Sequence, residues 1–204
     1  MESDRPVGRG AKVRAAVHAA TLAELVDKGY AALTVDGVAQ RAGVHKTTVY
    51  RRWKDRESLI VDTVAEHMAM DIPVPDTGTA EGDLGALARS LVQSFTTPAG
   101  QAILAAMFTG AAHLPEIAEA RRHVFHDRLR RAEPVVTRAV ARGELPAGTD
   151  PAGLLKTLAA PIYLSLLITA DPLDDALADR AARIALAAAR AGALGPAVRE
   201  DREG

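Results

Sequence analysis

The sequence predicts an all-α protein with two helical domains, and three observations support this fold class. Apolar residues recur at helical spacing through most of the chain, and no segment alternates convincingly as a β-strand. A stretch rich in Pro, Gly and Thr, DIPVPDTGTA, follows Met70 and indicates a linker. Residues 1–56 hold 11 Lys and Arg against 6 Asp and Glu, whereas residues 57–204 hold 14 against 20.

The linker divides the 204-residue chain into segments of different character. Residues 1–8 are predicted to be a flexible N-terminal arm and residues 196–204 a frayed tail. Residues 9–70 and 71–195 are each long enough for a helical domain with a hydrophobic core. The positive charge of the first domain and the acidic balance of the second suggest that only the first contacts a polyanion.

Glu24 is an unexpected residue on the inner face of the first predicted helix, near Val17 and Ala20 on a helical wheel. A buried carboxylate without a partner is costly. We therefore expect Glu24 to be paired, with Lys28 one turn later as the candidate, or to lie at the domain boundary.

The stretch from Thr34 to Arg56, TVDGVAQRAGVHKTTVYRRWKDR, predicts two short helices joined by a tight turn. The Thr34 hydroxyl can cap the first helix, which presents one narrow apolar face. Gly43 stands where that helix would stop with a positive φ. His45 then opens the second helix, predicted over Lys46–Trp53.

The second helix has a divided surface. Val49 and Trp53 are four residues apart and are expected to face inward. Lysine and arginine can pair with guanine, and a threonine methyl can contact a thymine methyl. Tyr50 and Lys54 are better suited to phosphate contacts. After them, Asp55 can cap the next helix. The pattern favours DNA binding through a short helix in the major groove, with strongly salt-dependent affinity.

These residues resemble the N-terminal domain of the tetracycline-repressor (TetR) family of bacterial transcription regulators. The matching points are Gly29-Tyr30, Leu33-Thr34-Val35, Val38-Ala39, Ala42-Gly43-Val44, Thr48-Val49-Tyr50, Trp53 and Leu59. Two departures from the family pattern are His45, where a Ser cap is usual, and Glu24, where Leu is usual.

The resemblance implies a three-helix helix-turn-helix DNA-binding domain over residues 9–70, in which Lys46–Trp53 is the recognition helix. In this comparison Arg56 matches a lysine that touches phosphate. The predicted DNA-binding residues are Thr34, His45, Lys46, Thr47, Thr48, Tyr50, Arg51, Arg52, Lys54 and Arg56.

Beyond the linker the helical pattern resumes. Pro134 is expected to kink its helix or break the hydrogen-bond ladder. The longest apolar stretch, Leu154–Ala170, is interrupted by Lys156 and Pro161, which favours a buried core helix over a membrane span. The predicted helices are 82–96, 98–110, 114–142, 150–170 and 174–193.

The C-terminal domain resembles, more weakly, that of one large TetR subgroup, and this resemblance implies a helical domain for ligand binding and dimerisation. A homodimer also suits a helix-turn-helix protein, because two recognition helices then reach successive major grooves. The alternative for the apolar stripe of the last helix is a core face within the monomer. The predicted dimer-interface residues are Leu177, Ala181, Ile184, Ala188 and Ala191.

Family members commonly hold a small-molecule effector among the middle helices. Large apolar side chains there are candidates for contacts to an apolar ligand, although such residues are more often plain core. The candidate ligand-binding residues are Phe95, Met107, Phe108, Phe125, Tyr163 and Leu167. A DNA-binding regulator without a ligand switch is the second possibility.

An enzyme is the rival class of function. His113, His123 and His126 could contribute to a metal site, but neighbouring arginines oppose cation binding. Sequence patterns of common catalytic sites are missing, and so are cysteines, which excludes disulfides and thiolate chemistry. We therefore expect a cytoplasmic regulator with no cofactor, no catalytic residue and no membrane partner. Its partners would be double-stranded operator DNA, a small effector and a second copy, and repression is adopted as the family's usual mode.

Overall fold

A computed structural model describes residues 9–68, 74–110 and 115–195 of the chain. These residues form α-helices and short π-helical turns, with no strand among them, so the predicted all-α class is confirmed. The arm 1–8 and the tail 196–204 lie outside the described residues. In chain order the helices are α1 (Arg9–Ala32), α2 (Val35–Ala42), α3 (Lys46–Tyr50), α4 (Arg56–Met68), α5 (Ala80–Thr96), α6 (Pro98–Ala105), α7 (Pro115–Ala141), α8 (Pro151–Leu164) and α9 (Asp175–Arg190).

The chain forms two compact units. The first unit comprises residues 1–70 with 97–124, and the second comprises 71–96 with 125–204. One division between the units falls between residues 70 and 71, where the predicted linker begins. Segment 97–124 differs from the sequence-based division: it belongs to the first unit, because α6 packs against α1.

The first unit is built on α1, against which α2, α4 and α6 pack. Its core contains fully buried side chains from several helices, among them Val17, Val38, Val49 and Leu59. Gly29 interrupts α1 with φ 75° and ψ 172°, a conformation that glycine adopts at little steric cost.

In the second unit, α5, α8 and α9 pack together. Leu84 of α5 and Leu154 of α8 are buried, and α9 contributes the small residues Ala181 and Ala185. Small side chains allow helix axes to approach closely. Asp83 is fully buried, and its Oδ1 accepts hydrogen bonds from the Thr77 backbone N at 2.6 Å and hydroxyl at 2.9 Å.

Several helix ends differ from prediction. α3 stops at Tyr50 rather than Trp53, because the N–H groups of Arg52 and Trp53 both donate to the Val49 carbonyl and tighten the last turn. The predicted helices 98–110 and 150–170 end in π-helical turns at Ala106–Gly110 and Ser165–Thr169.

Pro134 lies inside α7, and the helix continues to Ala141. Because proline has no N–H, it removes one hydrogen bond from the ladder as expected, but it does not end the helix.

Pro151–Thr169 is the one helical stretch among the described residues that is long and apolar enough to cross a membrane by these two measures alone. In the second unit this stretch packs against α9 and α5. Leu154, Leu158 and Ile162 are buried, whereas Leu164, Leu167 and Ile168 are exposed, and only 28% of the apolar stretch is buried. The predicted burial therefore holds only for the first part of the stretch.

Candidate functional site

The turn between α2 and α3 is built by local hydrogen bonds. Thr34 is extended, with φ −127°, and its Oγ1 accepts a hydrogen bond from the Gly37 backbone N at 3.1 Å. Gly43 has φ 66°, and its N–H donates to the Gln40 carbonyl at 3.2 Å. Both caps follow the sequence prediction, because each depends on residues only three positions apart.

His45 precedes α3 in an extended conformation and makes no side-chain cap. The start of α3 is therefore held less firmly than a Ser cap would hold it, as expected from the sequence.

α3 presents one apolar and one polar face. Val49 is fully buried and Trp53 is 5% exposed, so the predicted inward pair is confirmed. The polar side chains point outward: Thr48 is half-buried, whereas His45, Lys46, Thr47, Tyr50, Arg51, Arg52 and Lys54 are exposed. The short helix and the residues that flank it thus expose a row of hydrogen-bond donors and cations.

The cations on this surface are weakly engaged within the protein. Lys46 Nζ lies 3.8 Å from an Asp36 carboxylate, and Lys54 Nζ lies 3.6 Å from Asp55. Both lysine side chains are mostly exposed, the second by 83%. Exposed pairs of this kind contribute little energy, so both ammonium groups are available to a polyanion.

Trp53 is anchored by a polar cluster that the sequence analysis missed. The Asp62 carboxylate accepts hydrogen bonds from Trp53 Nε1 at 2.9 Å and Arg14 at 3.4 Å, and lies 3.0 Å from His18 Nε2. Partial burial opposes ionisation of Asp62, but the Trp53 and His18 contacts and the Arg14 charge together lower its pKa. The pairs are 9 to 48 residues apart, and no local pattern signals them.

Glu24 is buried and paired, as predicted. Its Oε2 lies 2.7 Å from Lys28 Nζ, and its Oε1 lies 3.1 Å from Arg41 Nε. The second contact, unforeseen in the sequence, links α1 to α2. Because the Lys28 and Arg41 side chains are partly exposed, their charges remain hydrated while they compensate the negative charge of Glu24.

Arg56 has a different position from the one expected for a phosphate contact. Its guanidinium donates to the carbonyls of Tyr30 at 3.1 Å and Leu33 at 3.4 Å. It also lies 4.6 Å from the centroid of the Tyr30 ring, a cation–π distance. Arg56 is therefore bonded within the protein and ties α4 to the end of α1.

The next helix is capped by Asp55, as predicted. Its Oδ1 accepts a hydrogen bond from the Ser58 backbone N at 2.8 Å. The backbone and hydroxyl bonds of Ser58 lower the pKa of the Asp55 carboxyl, more than burial raises it.

Comparison with family models decides the class of protein. Residues 18–63 match the model described as bacterial regulatory proteins, tetR family, and residues 74–185 match the tetracyclin repressor-like C-terminal domain. The chain belongs to the TetR family. The resemblance inferred from the first 70 residues is thus confirmed, and it extends through the second domain.

Individual TetR-family relatives align with this chain over most of their length. The HTH-type transcriptional regulator AqdR of Rhodococcus erythropolis is 34% identical over 157 residues, which cover 76% of this chain and 75% of AqdR. The HTH-type regulator YdeS of Bacillus subtilis is 30% identical over 175 residues, 86% of this chain and 88% of YdeS. This TetR-family chain is a DNA-binding transcriptional regulator.

Solved structures show the same fold. A crystal structure of a TetR-family transcription regulator aligns with a TM-score of 0.70 and 31% identity, covering 86% of this chain and 97% of the other. A regulator from Mesorhizobium loti aligns with the same TM-score at 21% identity, covering 91% and 98% of the two chains.

Three of the six candidate ligand contacts meet in the second unit. The Tyr163 ring centroid lies 5.2 Å from that of Phe95 and 5.4 Å from that of Phe125, with the planes tilted. These are ordinary separations for interacting aromatic rings. The three residues form what we call the aromatic cluster.

The other three candidates lie elsewhere. Met107 and Phe108 belong to the first unit, where Arg121 donates to the Met107 carbonyl at 3.1 Å and lies 5.1 Å from the Phe108 ring. Leu167 lies on a π-helical turn of the second unit and is 42% exposed. Leu167 thus has an open surface position rather than a buried one.

The predicted dimer stripe on α9 is split by burial. Leu177 and Ala181 are buried within the second unit, where α9 packs on α5 and α8. For these two residues the alternative, a core face within the monomer, is correct. Ile184 is 47% exposed, Ala188 is half-buried and Ala191 is exposed, so only this part of the stripe is open to a partner.

Three histidines were considered for a metal site, and two of them lie among the described residues. His123 and His126 are exposed on α7, and His113 lies outside the described residues. Within the described residues, no group of three His, Asp or Glu side chains is placed to hold a metal ion.

Proposed function

We propose that this TetR-family regulator is a homodimeric repressor that binds a pseudo-palindromic operator and is released by a small-molecule effector. The observation that carries the proposal is the divided surface of α3. Val49 and Trp53 fix the helix to the core, while its cations and hydroxyls face solvent. Such a helix can enter a major groove without rearranging the domain.

The exposed side chains take different roles in this proposal. Lys46 and Thr47, at the start of α3, read base edges, and Thr48, Arg51 and Arg52 add contacts around them. Tyr50 and Lys54 hold phosphates and set the register. The remaining predicted residues act near the backbone of the DNA or support those that do: Thr34, His45 and Arg56.

Dimerisation is supported by apolar residues that the second unit leaves uncovered. Leu164, Leu167 and Ile168 are exposed at the end of α8 and on the turn after it, the last by 75%, and Ile184 is exposed on α9. Uncovered apolar side chains of this number mark an interaction surface. A twofold pair would place two α3 helices on half-sites about 34–36 Å apart.

Repression is supported by a named relative. The DNA-binding transcriptional repressor TetR of Mycobacteroides abscessus is 32% identical over 179 residues, covering 85% of this chain and 92% of the repressor. Effector release is supported by the aromatic cluster in the second unit, where Tyr163 adds one hydroxyl to an apolar surface. No catalytic residue is needed for this function, and access to the chromosome places it in the cytoplasm.

The DNA-binding part is tested by selecting bound sequences from random duplex DNA with the full chain. A pseudo-palindromic site should emerge, and Lys46→Ala should change the preferred bases. Lys54→Ala should weaken binding about equally for all sequences and reduce the salt dependence by about one released counterion. Lys156→Ala, an exposed lysine of the second unit, is the control. Equal sequence profiles for Lys46→Ala and the wild type would contradict the assigned reading role.

The effector part is tested separately by thermal unfolding with a panel of apolar metabolites. A ligand of the folded state must raise the unfolding temperature by mass action, and an effector must also release the selected operator. A panel without any shift would favour the ligand-independent regulator. Stoichiometric metal in untagged protein would instead support the enzyme alternative.

A further inference from the structure

Arg128 differs from the neighbouring arginines of α7. Arg130 and Arg131 pair with Asp127 at 2.5 and 2.6 Å. Arg138 faces Asp76 at 3.7 Å. Arg128 is half-buried, and its Nε is fully buried without a hydrogen-bond partner among the described residues. The Nε of Arg138 is buried and unbonded too, but it has the Asp76 carboxylate nearby, whereas Arg128 has no carboxylate within 4 Å among the described residues.

Arg128 lies on α7 three residues after Phe125, a member of the aromatic cluster. The Phe125 ring contacts the ring of Tyr163, which also contacts the ring of Phe95. Burial lowers the pKa of Arg128, and the electrostatic interaction with Tyr163 opposes this lowering. Burial raises the pKa of Tyr163 to about 12, although the Arg128 charge works in the opposite direction. Tyr163 therefore stays a neutral hydrogen-bond donor at physiological pH.

A partly buried guanidinium without a counter-charge is an energetic cost to the folded chain. Arginine does not relieve this cost by losing its proton, because its guanidinium remains charged at any physiological pH. The cost is relieved when an anion is placed against it, and a planar carboxylate fits the guanidinium fork best.

We propose that Arg128 and Tyr163 bind the carboxylate of an amphipathic organic acid whose aromatic or alkyl body contacts Phe95 and Phe125. The inference rests on the proposed effector-regulated function. It specifies the effector as an organic anion with an apolar body. The Arg128 charge would bind the carboxylate to α7. The rings of Phe95 and Tyr163 would contact the apolar part of the ligand from α5 and α8. In the sequence, Arg128 is one of the arginines near His123 and His126 that oppose metal binding. Its spacing of three from Phe125 on one helix was the available signal.

The test is isothermal titration calorimetry with matched probes: naphthalene-2-carboxylate against naphthalene-2-carboxamide, and decanoate against decanamide. Each pair shares its apolar body and differs in charge. We expect the carboxylates to bind the full-length wild type about 10- to 100-fold more tightly, the range of a charge-assisted hydrogen bond. Arg128→Gln should abolish this preference, Arg128→Lys should keep part of it, and Tyr163→Phe should reduce carboxylate affinity severalfold.

Arg130→Gln is the matched control, because Arg130 is an exposed arginine on the same helix with an Asp127 partner. It should keep the full preference. Equal affinity of acid and amide for the wild type, no binding of either acid, or an undiminished preference in Arg128→Gln would each overturn the proposal. The comparison of acid and amide affinities for the wild type tests the proposal even if Arg128→Gln fails to fold.

Operator release separates this inference from the proposed function. An amide that binds as tightly as its acid and releases operator DNA would overturn the anion site and leave effector regulation intact. Carboxylate binding that depends on Arg128 but never releases operator DNA would support the site and contradict the regulatory role.

Discussion

The indole N–H of Trp53 donates a 2.9 Å hydrogen bond to the Asp62 carboxylate, which joins the turn between α3 and α4 to the middle of α4. The same carboxylate meets His18 and Arg14 of α1. One side chain thus links three segments around α3. Because α3 is only five residues long, its orientation depends on such tertiary contacts more than on its own hydrogen bonds.

Asp62→Ala is expected to lower both stability and operator affinity. The mutation leaves the buried Trp53 indole N–H without an acceptor, which costs about 1–3 kcal/mol. Urea unfolding measures the loss, and fluorescence anisotropy measures operator binding. Glu66→Gln is the control, since Glu66 also contacts Arg14 but is more exposed and should cost less than about 1 kcal/mol. Similar losses for the two variants would argue against a special role for Asp62.

Glu24→Leu should leave stability within about 1 kcal/mol of the wild type, whereas Glu24→Ala should lose about 2 kcal/mol or more. Replacing a buried ion pair by a well-packed apolar side chain is often neutral or stabilising. Alanine instead removes the pair and leaves a cavity. Thermal unfolding compares the two variants. If leucine destabilises the protein as much as alanine does, the ion pairs of Glu24 with Lys28 and Arg41 contribute more to stability than the packing volume of the Glu24 side chain.

Asp55→Asn should show the pH dependence of the α4 cap. The pKa of Asp55 is lowered in the folded chain, so its charge stabilises the fold above the unfolded pKa of about 3.9. This contribution disappears as pH falls through the lower folded value. Urea unfolding should therefore find the wild type more stable than Asp55→Asn at pH 6, with the difference vanishing once pH has fallen through the lowered folded pKa. If the stability difference between the two proteins persists in acid, its cause is not the ionisation of Asp55.

Ile168→Glu should weaken the proposed homodimer. A carboxylate in a dry interface would raise the dimer dissociation constant by about 100-fold, which is about 2.7 kcal/mol. Sedimentation equilibrium measures the constant, and operator affinity should fall with it. Gln93→Glu is a charge-matched change at another exposed site of the second unit. If both variants dimerise like the wild type, the turn after α8 is not at the interface.

Much of the DNA-facing domain could be predicted because its signals are local. Thr34, Gly43 and Asp55 cap or end helices through partners within three residues, and the spacing of Val49 and Trp53 set the inward face of α3. Hydrogen bonds of this range depend on the immediate neighbours in the chain. The sequence could therefore indicate them before any packing was known.

The second unit was less predictable, because small apolar residues suit either a core or an interface. Leu177 and Ala181 carry the same pattern as Ile184, yet they are buried inside the monomer while Ile184 is exposed. The period of a helix shows which residues share a face. It does not show which helix covers that face.

From the amino-acid order alone came the all-α class, the family and the helix pair that begins after Thr34, although the second helix ends at Tyr50 and not at Trp53 as predicted. Packing then assigned the partners of charged and polar groups: Asp62 to Trp53 and His18, Arg56 to the carbonyls of Tyr30 and Leu33. It also left Arg128 beside an aromatic cluster with its Nε unbonded. Local hydrogen bonds and periodicity are properties of adjacent residues, whereas the cost of a buried charge depends on what folding brings beside it.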